Sequence, residues 1–191
     1  MKSKTSKTLI IVGLLICVGS LSIKAYSRYL ENKATKSFEE KIDKKTKEDD
    51  FTNVKAGDEI AIINIPSIKL NTVVVESIEK QYLNHYVCHF ENSAMPGQYG
   101  NFSLAGHSSY RYNEVFNELH KISLDDEIII KTLNNEFIYV VKDIFQVNPE
   151  DTYVLDQDNE KKELTIVTCT NNGKNRLIVK AKIAEDKNNN K

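Results

Sequence analysis

A cysteine, a histidine and an arginine each stand where a predicted β-strand meets a loop. Residues 163–170 are rich in β-branched side chains and predict a strand that ends at Cys169. A short polar loop then leads to Arg176, at the start of the next predicted strand. Such a position suits a nucleophile, because a nearby cation stabilises the thiolate. It also suits an ordinary core cysteine, so residues elsewhere in the chain are needed to distinguish a nucleophile from a core residue.

The chain has four histidines, and their contexts differ: His85, His89, His107 and His120. His107 follows an apolar run and Gly106, so it also lies at the end of a predicted strand. His120 ends a predicted helix, where its charge would complement the helix dipole. His85 and His89 flank Cys88, but a fourth metal ligand is not evident, so we expect no metal there.

Cysteine catalysis needs a stabilised thiolate, a proton donor for the leaving group and donors for the oxyanion. His107 supplies the proton, and Arg176 supplies a permanent cation with bidentate donors. The residues alone leave a Cys169–His107–Arg176 site and a purely structural role for Cys169 both open.

The elements that must position these residues are mainly β. Two helical patterns intervene, over 78–85 and over 113–119 with Asn113 as N-cap. Seven strands with short connections predict an antiparallel barrel or sandwich. The predicted strands cover 59–65, 70–75, 102–105, 127–131, 136–147, 164–168 and 176–183.

Composition excludes several other classes of protein. The chain has 191 residues, 40% of them hydrophobic, and a formal net charge of -1. The charge gives no general attraction to nucleic acid. The three cysteines (Cys17, Cys88 and Cys169) are too few and too unevenly spaced for a disulfide framework or a zinc site.

An uncharged apolar run covers residues 8–23, and three lysines precede it. As a helix, 16 to 19 residues extend about 24–28 Å, a short membrane crossing. A cleaved signal peptide at Val18-Gly19-Ser20 and a lipoprotein signal at Cys17 fit less well than an uncleaved signal anchor. We therefore expect a single-pass membrane protein whose large domain is extracellular.

Composition also divides the chain into four parts. Residues 1–26 form the cytoplasmic tail and signal anchor, and 27–50 form a charged stalk that is helical or partly disordered. We expect residues 51–184 to be the folded domain that carries the candidate catalytic residues, and 185–191 to be a disordered tail.

The chemistry-bearing segments resemble the sortases, transpeptidases of Gram-positive cell envelopes. Residues 165–169 read Thr-Ile-Val-Thr-Cys and are similar to the sortase signature TLxTC, with Ile in place of Leu. Residues 100–107 read Gly-Asn-Phe-Ser-Leu-Ala-Gly-His and resemble the segment with the sortase histidine. Arg176, seven positions after Cys169, matches the sortase arginine.

The resemblance implies a closed eight-stranded sortase-type β-barrel with short helices, preceded by a transmembrane helix. It also implies that Cys169 attacks the Thr–Gly carbonyl of an LPxTG-like sorting signal, and that an amine of a peptidoglycan precursor or a pilin lysine resolves the thioacyl-enzyme. His107 is then the general acid and base, and Arg176 the clamp on substrate or oxyanion. Thr168 and Ala105 are predicted substrate contacts, and no cofactor or nucleic acid is expected.

The resemblance favours a class A- or D-like sortase. The segment 148–163 has no room for the class B helix, and no class C lid is evident. Calcium activation needs acidic residues on two loops. One loop has four of them, but the other has little beyond Glu91, so we favour a solvated acidic loop over a calcium site. The four acidic residues are Glu150, Asp151, Asp156 and Asp158.

Two rival functions and one open residue remain. A papain-like hydrolase disagrees with the chain order, because His107 precedes Cys169. A non-catalytic, membrane-anchored β-domain that binds wall polymer or a partner protein is the alternative function. Cys88 is expected to be a core residue, and its pairing with Cys169 is a hypothesis.

Overall fold

The computed structural model describes residues 2–44, 49–108, 115–170 and 173–184. A long helix, α1 (Lys2–Lys44), precedes the strands, and a one-turn helix, α2 (Lys80–Leu83), lies between the second and third. The strands are β1 (Glu59–Ile65), β2 (Leu70–Glu76), β3 (Val87–His89), β4 (Gly100–Ala105), β5 (Glu127–Lys131), β6 (Glu136–Val147), β7 (Lys162–Cys169) and β8 (Arg176–Ile183).

The eight strands close into one barrel in the order β1-β2-β3-β4-β7-β8-β6-β5. The predicted eight-stranded barrel is therefore confirmed. The expectation that it is antiparallel is wrong for two of the eight pairs, β2–β3 and β4–β7, which are parallel. A parallel neighbour needs a crossover connection, and the segment with α2 provides it between β2 and β3.

β3 was not predicted from the sequence. It has three residues, too few to show an alternating pattern. Its His89 pairs with Glu76 of β2, and the imidazole Nδ1 lies 2.7 Å from the Glu76 carboxylate Oε2. The Ser93 hydroxyl lies 2.8 Å from His89 Nε2, so both ring nitrogens have a buried partner. His89 is thus a buried structural histidine.

The main core fills the barrel and is built from alternate residues of every strand. Ile63, Phe102, Leu104, Leu164 and Ile166 are each at most 1% exposed. Tyr139 is fully buried, and its hydroxyl accepts a hydrogen bond from the Gly97 amide at 2.9 Å. Gly97 has φ +76°, and a Cβ there would meet the Phe137 ring at 2.2 Å, so this close approach requires glycine.

The first half of α1 is long and apolar enough to cross a membrane, by length and composition. Between residues 6 and 22 its side chains are exposed, as Leu9 at 72% and Leu21 at 68% show. A stripe of exposed leucine and isoleucine on one helix is typical of a segment that lies in lipid. The predicted division of the chain at residues 26, 50 and 184 stays a prediction.

The segment expected as a stalk is the second half of α1, and it packs against the barrel. Phe38 is 2% exposed and lies against Ile62, Val73 and Val75 of β1 and β2. The contacting positions recur every three or four residues, which is the period of one helix face. They are Ser27, Glu31, Thr35, Phe38 and Ile42. This periodicity was not evident in the sequence, because three of the five contacting residues are polar and the face is not an apolar stripe.

The short predicted helices are only partly present in the described chain. The first is reduced to the single turn of α2. The second falls partly on 113 and 114, and its N-cap Asn113 lies outside the described residues. Residues 115–118 form turns that lead into a 3-10 helix at Leu119–Lys121.

Candidate active site

Cys169 ends β7, Arg176 begins β8, and the two residues are paired across the antiparallel ladder. Directly opposed residues of such a ladder project from the same face of the sheet. The Arg176 guanidinium also bonds the connecting loop, with Nη1 3.4 Å from the Gly173 carbonyl. Both side chains are half-buried, so the thiol and the cation share one surface at the end of the barrel.

His107 reaches the same end through the parallel pairing of β4 and β7. Ala105 is in register with Val167, and the Gly106 amide donates to the Val167 carbonyl at 3.2 Å. His107 and Cys169 each lie two residues beyond that pair, His107 just after the end of β4 and Cys169 at the end of β7, and the two strands are ~4.8 Å apart. The structure therefore brings His107, Cys169 and Arg176 together at one rim, while their catalytic roles stay predictions.

The rim residues lie on the outer face of the barrel. Leu164 and Ile166 of β7 point into the main core, so Val167 and Cys169 point outward. Val167 packs there with Val154 and Ile178 in a small separate cluster. The segment 148–161 thus covers an apolar floor that leads to the thiol.

The two predicted substrate contacts differ in accessibility. Ala105 lies between Cys88 and Val167 in the sheet, on the outward face of β4, and is 9% exposed. Thr168 is 3% exposed, and its hydroxyl donates to the Gly106 carbonyl at 2.7 Å. This bond fixes the peptide that precedes His107, which favours a positioning role for Thr168.

Gly106 permits the close packing behind His107. A Cβ at this position would lie 2.6 Å from the Phe116 ring. The Phe116 amide in turn donates to the His107 carbonyl at 3.0 Å. The glycine before the histidine is therefore a packing requirement, and it is a signal that the sequence already shows.

Burial sets the electrostatics of the site. Desolvation lowers the pKa of the His107 imidazole, because burial penalises the charged ring. Desolvation, followed by the nearby Glu76 carboxylate, raises the pKa of the Cys88 thiol to about 12. Cys88 is fully buried and is a poor thiolate former, so the two thiols of the barrel differ sharply in environment.

The family model of the sortase domain matches residues 63–184, which hold the whole rim. The chain belongs to the sortase family. Sortase A of Bacillus anthracis is 33% identical over 111 residues, which are 58% of this chain and 51% of that protein. This sortase spans about half the length of the curated relatives it matches.

Solved sortase structures share the fold. A sortase D5 transpeptidase of Clostridium perfringens is 44% identical with a TM-score of 0.74, and the match covers 82% of this chain and 99% of that chain. A Clostridium perfringens sortase C with the C-terminal cell wall sorting motif is 22% identical with a TM-score of 0.66, covering 81% and 87%. The second likeness concerns the fold alone. Relatives of the A and D types agree with the predicted class A- or D-like sortase.

A hydrogen-bond network holds the loop that covers the outer face of this sortase. Gln157 Oε1 accepts from the Asn101 amide at 2.9 Å, and its Nε2 donates to the Leu155 carbonyl at 2.9 Å. The Val154 carbonyl accepts from Asn101 Nδ2 at 3.1 Å and from Lys180 Nζ at 2.6 Å. Burial lowers the pKa of Lys180. Sequence reasoning missed these residues, because their partners are backbone atoms far along the chain.

A cavity of about 510 Å³ lies beside Cys169, on the side of β8 and the 3-10 helix. The Ser108 hydroxyl closes it and donates to the Cys169 carbonyl at 2.5 Å. His120, expected as a helix-end partner, lines this cavity, and its Nδ1 lies 2.8 Å from the Asn117 carbonyl. The cavity is lined by Ser108, Phe116, Asn117, His120, Gln146, Thr168, Cys169, Thr170, Asn175 and Leu177.

The residues weighed as metal ligands are engaged elsewhere. His85 Nδ1 lies 2.8 Å from the Ser27 hydroxyl, and Cys88 points to the opposite face of β3 from His89. Asp151 accepts from the Asn148 amide, and Asp158 pairs with Lys161. Within the described part of the chain, His, Cys, Asp and Glu form no group of three that could hold a metal ion.

A disulfide between Cys88 and Cys169 does not fit the barrel. Cys88 pairs with Ala105, and Ala105 pairs with Val167, so β4 separates Cys88 from β7. Two strand spacings amount to about 10 Å, which is beyond the Cα separation of about 7 Å that a disulfide tolerates. The hypothesis of an intramolecular pair is therefore wrong for this fold.

Proposed function

We propose that this sortase is a membrane-anchored cysteine transpeptidase that cleaves an LPxTG-like sorting signal and transfers the released acyl group to an amine. The observation that carries the proposal is the meeting of His107, Cys169 and Arg176 at one rim, on the outer face of the barrel. Family membership supports it, since sortases are cysteine transpeptidases.

In the first step, Cys169 Sγ passes its proton to His107 and attacks the carbonyl carbon of the signal's threonine. An S–C bond forms, and the carbonyl π electrons move to oxygen. Arg176, fixed opposite Cys169, places its guanidinium where this oxyanion or the neighbouring substrate backbone accepts hydrogen bonds. The tetrahedral species then collapses, the Thr–Gly C–N bond breaks, and His107 gives a proton to the leaving glycine amine.

In the second step, an acceptor amine attacks the thioester carbon. His107, now neutral, takes the proton from that amine, a C–N bond forms and the C–S bond breaks. His107 returns this proton to the Cys169 sulfur, so the thiol is restored and no other reactant is consumed. The polar cavity beside Cys169 has the volume and the hydrogen-bonding groups to hold an amine acceptor.

The LPxTG-like specificity rests on the outer face. Val167 is half-buried on the outer face beside Cys169 and offers an apolar contact that suits the Leu-Pro part of such a signal. The solved sortase C whose structure holds a C-terminal cell wall sorting motif has the same fold. The acceptor on this account is an amine of a cell-wall precursor or a pilin lysine, and the exposed apolar helix anchors the enzyme with its barrel outside the cell.

A peptide library tests the proposal. The chain is incubated with LPxTG-like peptides, with and without a small primary amine, and the products are identified by mass. We expect cleavage after threonine and, when amine is present, a product that carries it. Absence of cleavage for every peptide by a folded chain would refute the proposal and favour a non-catalytic binding domain.

A further inference from the structure

The second half of α1 runs along the outside of the barrel from one end to the other. Near residue 27 it is held by the Ser27 hydroxyl, 2.8 Å from His85 Nδ1. Near residue 41 it is held by the Lys41 ammonium, 2.7 Å from the Glu59 carboxylate. Between them, Phe38 is buried against β1 and β2. The helix therefore has a fixed direction relative to the barrel.

The register of β3 and β4 shows at which end of the barrel Ser27 lies. The two strands are antiparallel, with Cys88 paired to Ala105. The chain that precedes β3 and the chain that follows β4 therefore lie at the same end. His85 belongs to the first and His107 to the second, so the Ser27 end of the docked helix is the catalytic end.

A second contact places α1 beside the histidine segment. Val115, Arg28 and Asn32 line one cavity of about 310 Å³. The next residue, Phe116, donates its amide hydrogen to the His107 carbonyl at 3.0 Å. The residue that shares this cavity with α1 is thus the immediate neighbour of the backbone partner of His107.

The same helix continues without a break into its apolar half. Ser27 follows Tyr26 directly, and α1 contains no proline that would kink it. Tyr26 and Tyr29 are each 60% exposed, and tyrosines are enriched at the boundary between lipid and water. The helix therefore leaves the membrane at the catalytic end of the barrel and extends away from it toward the opposite end.

We propose that α1 holds the barrel with its catalytic end against the membrane surface, so that the site works on substrates held at the bilayer. Ser27 lies within one helical turn, about 5 Å, of the end of the apolar run. Arg28, Lys69 and Glu31 line the cavity at this end, so charged side chains lie where the helix reaches the headgroup region. The inference rests on the proposed membrane anchoring and is independent of the chemical steps.

The experiment compares the two ends of the barrel in the full chain. One fluorophore is attached at Ser67→Cys, an exposed position between β1 and β2 at the catalytic end, or at Asn159→Cys, an exposed position before β7 at the opposite end. Both variants carry Cys17→Ser and Cys169→Ala and are reconstituted in vesicles whose phosphatidylglycerol headgroups bear an energy acceptor. The two ends are far enough apart to be distinguished, because β7, which runs between them, is about 23 Å long.

We expect energy transfer several-fold stronger from position 67 than from position 159. Equal transfer, stronger transfer from 159, or a chain that does not float with the vesicles would overturn the inference. A matched variant inserts Gly-Gly-Ser-Gly after Tyr26, which breaks the helix and leaves the docked half intact. This insertion should reduce the difference in energy transfer between positions 67 and 159. An undiminished difference would show that α1 does not set the orientation.

A separate measurement keeps the two proposals apart. Cleavage of a soluble sorting peptide by the Cys169-containing chain, with and without the Gly-Gly-Ser-Gly insertion, tests the chemistry alone. Equal cleavage by both, together with loss of the positional difference in the insertion variant, supports the orientation. Cleavage together with equal energy transfer from both positions would retain the proposed function and reject the orientation.

Discussion

Cys169 and Arg176 are paired residues of the β7–β8 ladder, so the strand pairing fixes the two backbone positions from which the thiol and the guanidinium extend. The loop between them is tied at its base, where the Thr170 amide donates to the Asn175 carbonyl at 3.0 Å. A guanidinium placed in this way costs little to reorganise when negative charge develops beside the thiol. The pairing supports the proposed role of Arg176 beside the thiol.

Arg176→Ala is expected to lower kcat/KM for a sorting peptide about 10²–10³-fold, the usual cost of one lost oxyanion donor. Arg176→Lys keeps the charge but loses the bidentate fork, so we expect an intermediate loss. The measurement is steady-state cleavage with melting curves for each variant. Activity of Arg176→Ala within a few-fold of the native enzyme would show that the cation does not act in the reaction.

The pH dependence of stability follows from His107. Burial lowers its pKa in the folded chain below the ordinary value of 6.5. Below that value the unfolded chain binds the proton more readily, so the free energy of unfolding falls as the pH drops from 6.5 toward the folded-state pKa. His107→Gln removes this penalty. We expect the variant to gain stability relative to the native chain between pH 7.5 and pH 5.

Urea unfolding at the two pH values measures this difference directly. His120→Gln is a matched control, because His120 is exposed and contacts the Asn117 carbonyl from the surface. Between pH 7.5 and pH 5, His120→Gln should gain less stability relative to the native chain than His107→Gln does. A relative loss of stability of His107→Gln at pH 5 would mean that the folded site stabilises the imidazolium.

Gln157 is expected to act on substrate binding through the loop it holds. Gln157→Ala removes bonds to Asn101 and Leu155 and loosens the segment around Val154, which packs over Val167 and Ile178 beside the site. We expect a raised KM for the sorting peptide with kcat nearly unchanged. The control is Asn159→Ala, an exposed position of the same segment. A fall in kcat at constant KM would place Gln157 in the chemical step instead.

The Glu76–His89 pair predicts a stability effect without a catalytic one. His89→Leu leaves the buried Glu76 carboxylate without its imidazole partner, which costs roughly 3–5 kcal/mol of unfolding free energy. Adding Glu76→Gln should restore part of that loss. Chemical unfolding of the two single variants and the double variant measures the coupling. If the losses of unfolding free energy in the two single variants sum to the loss in the double variant, the two groups do not interact.

Local sequence patterns were sufficient to predict the strands that carry the site. β5, β6 and β8 begin and end where alternation and β-branched residues predict. Cys169 and Arg176 lie at the predicted strand ends, since a polar Asn-Gly loop separates two apolar runs. The motif around His107 was informative for the same reason, because Gly106 marks a close approach of Phe116.

The unpredicted features depend on contacts between distant parts of the chain. The parallel pairing of β4 with β7 joins residues about 60 positions apart, and no local pattern encodes it. The docking of α1 depends on the shape of β1 and β2 around Phe38, which a mixed-charge composition conceals. Gln157 and Asn101 bond backbone atoms, so their residue types do not reveal the partner.

The central claim is that Cys169 forms a thioester with the threonine of a sorting signal. The chain is mixed with a sorting peptide without amine, quenched in acid within seconds and analysed by intact and digested mass. We predict an added mass equal to the amino-terminal peptide fragment, on Cys169, present in Cys88→Ala and absent in Cys169→Ala. An adduct on Cys88, or cleavage by folded Cys169→Ala, would contradict the account.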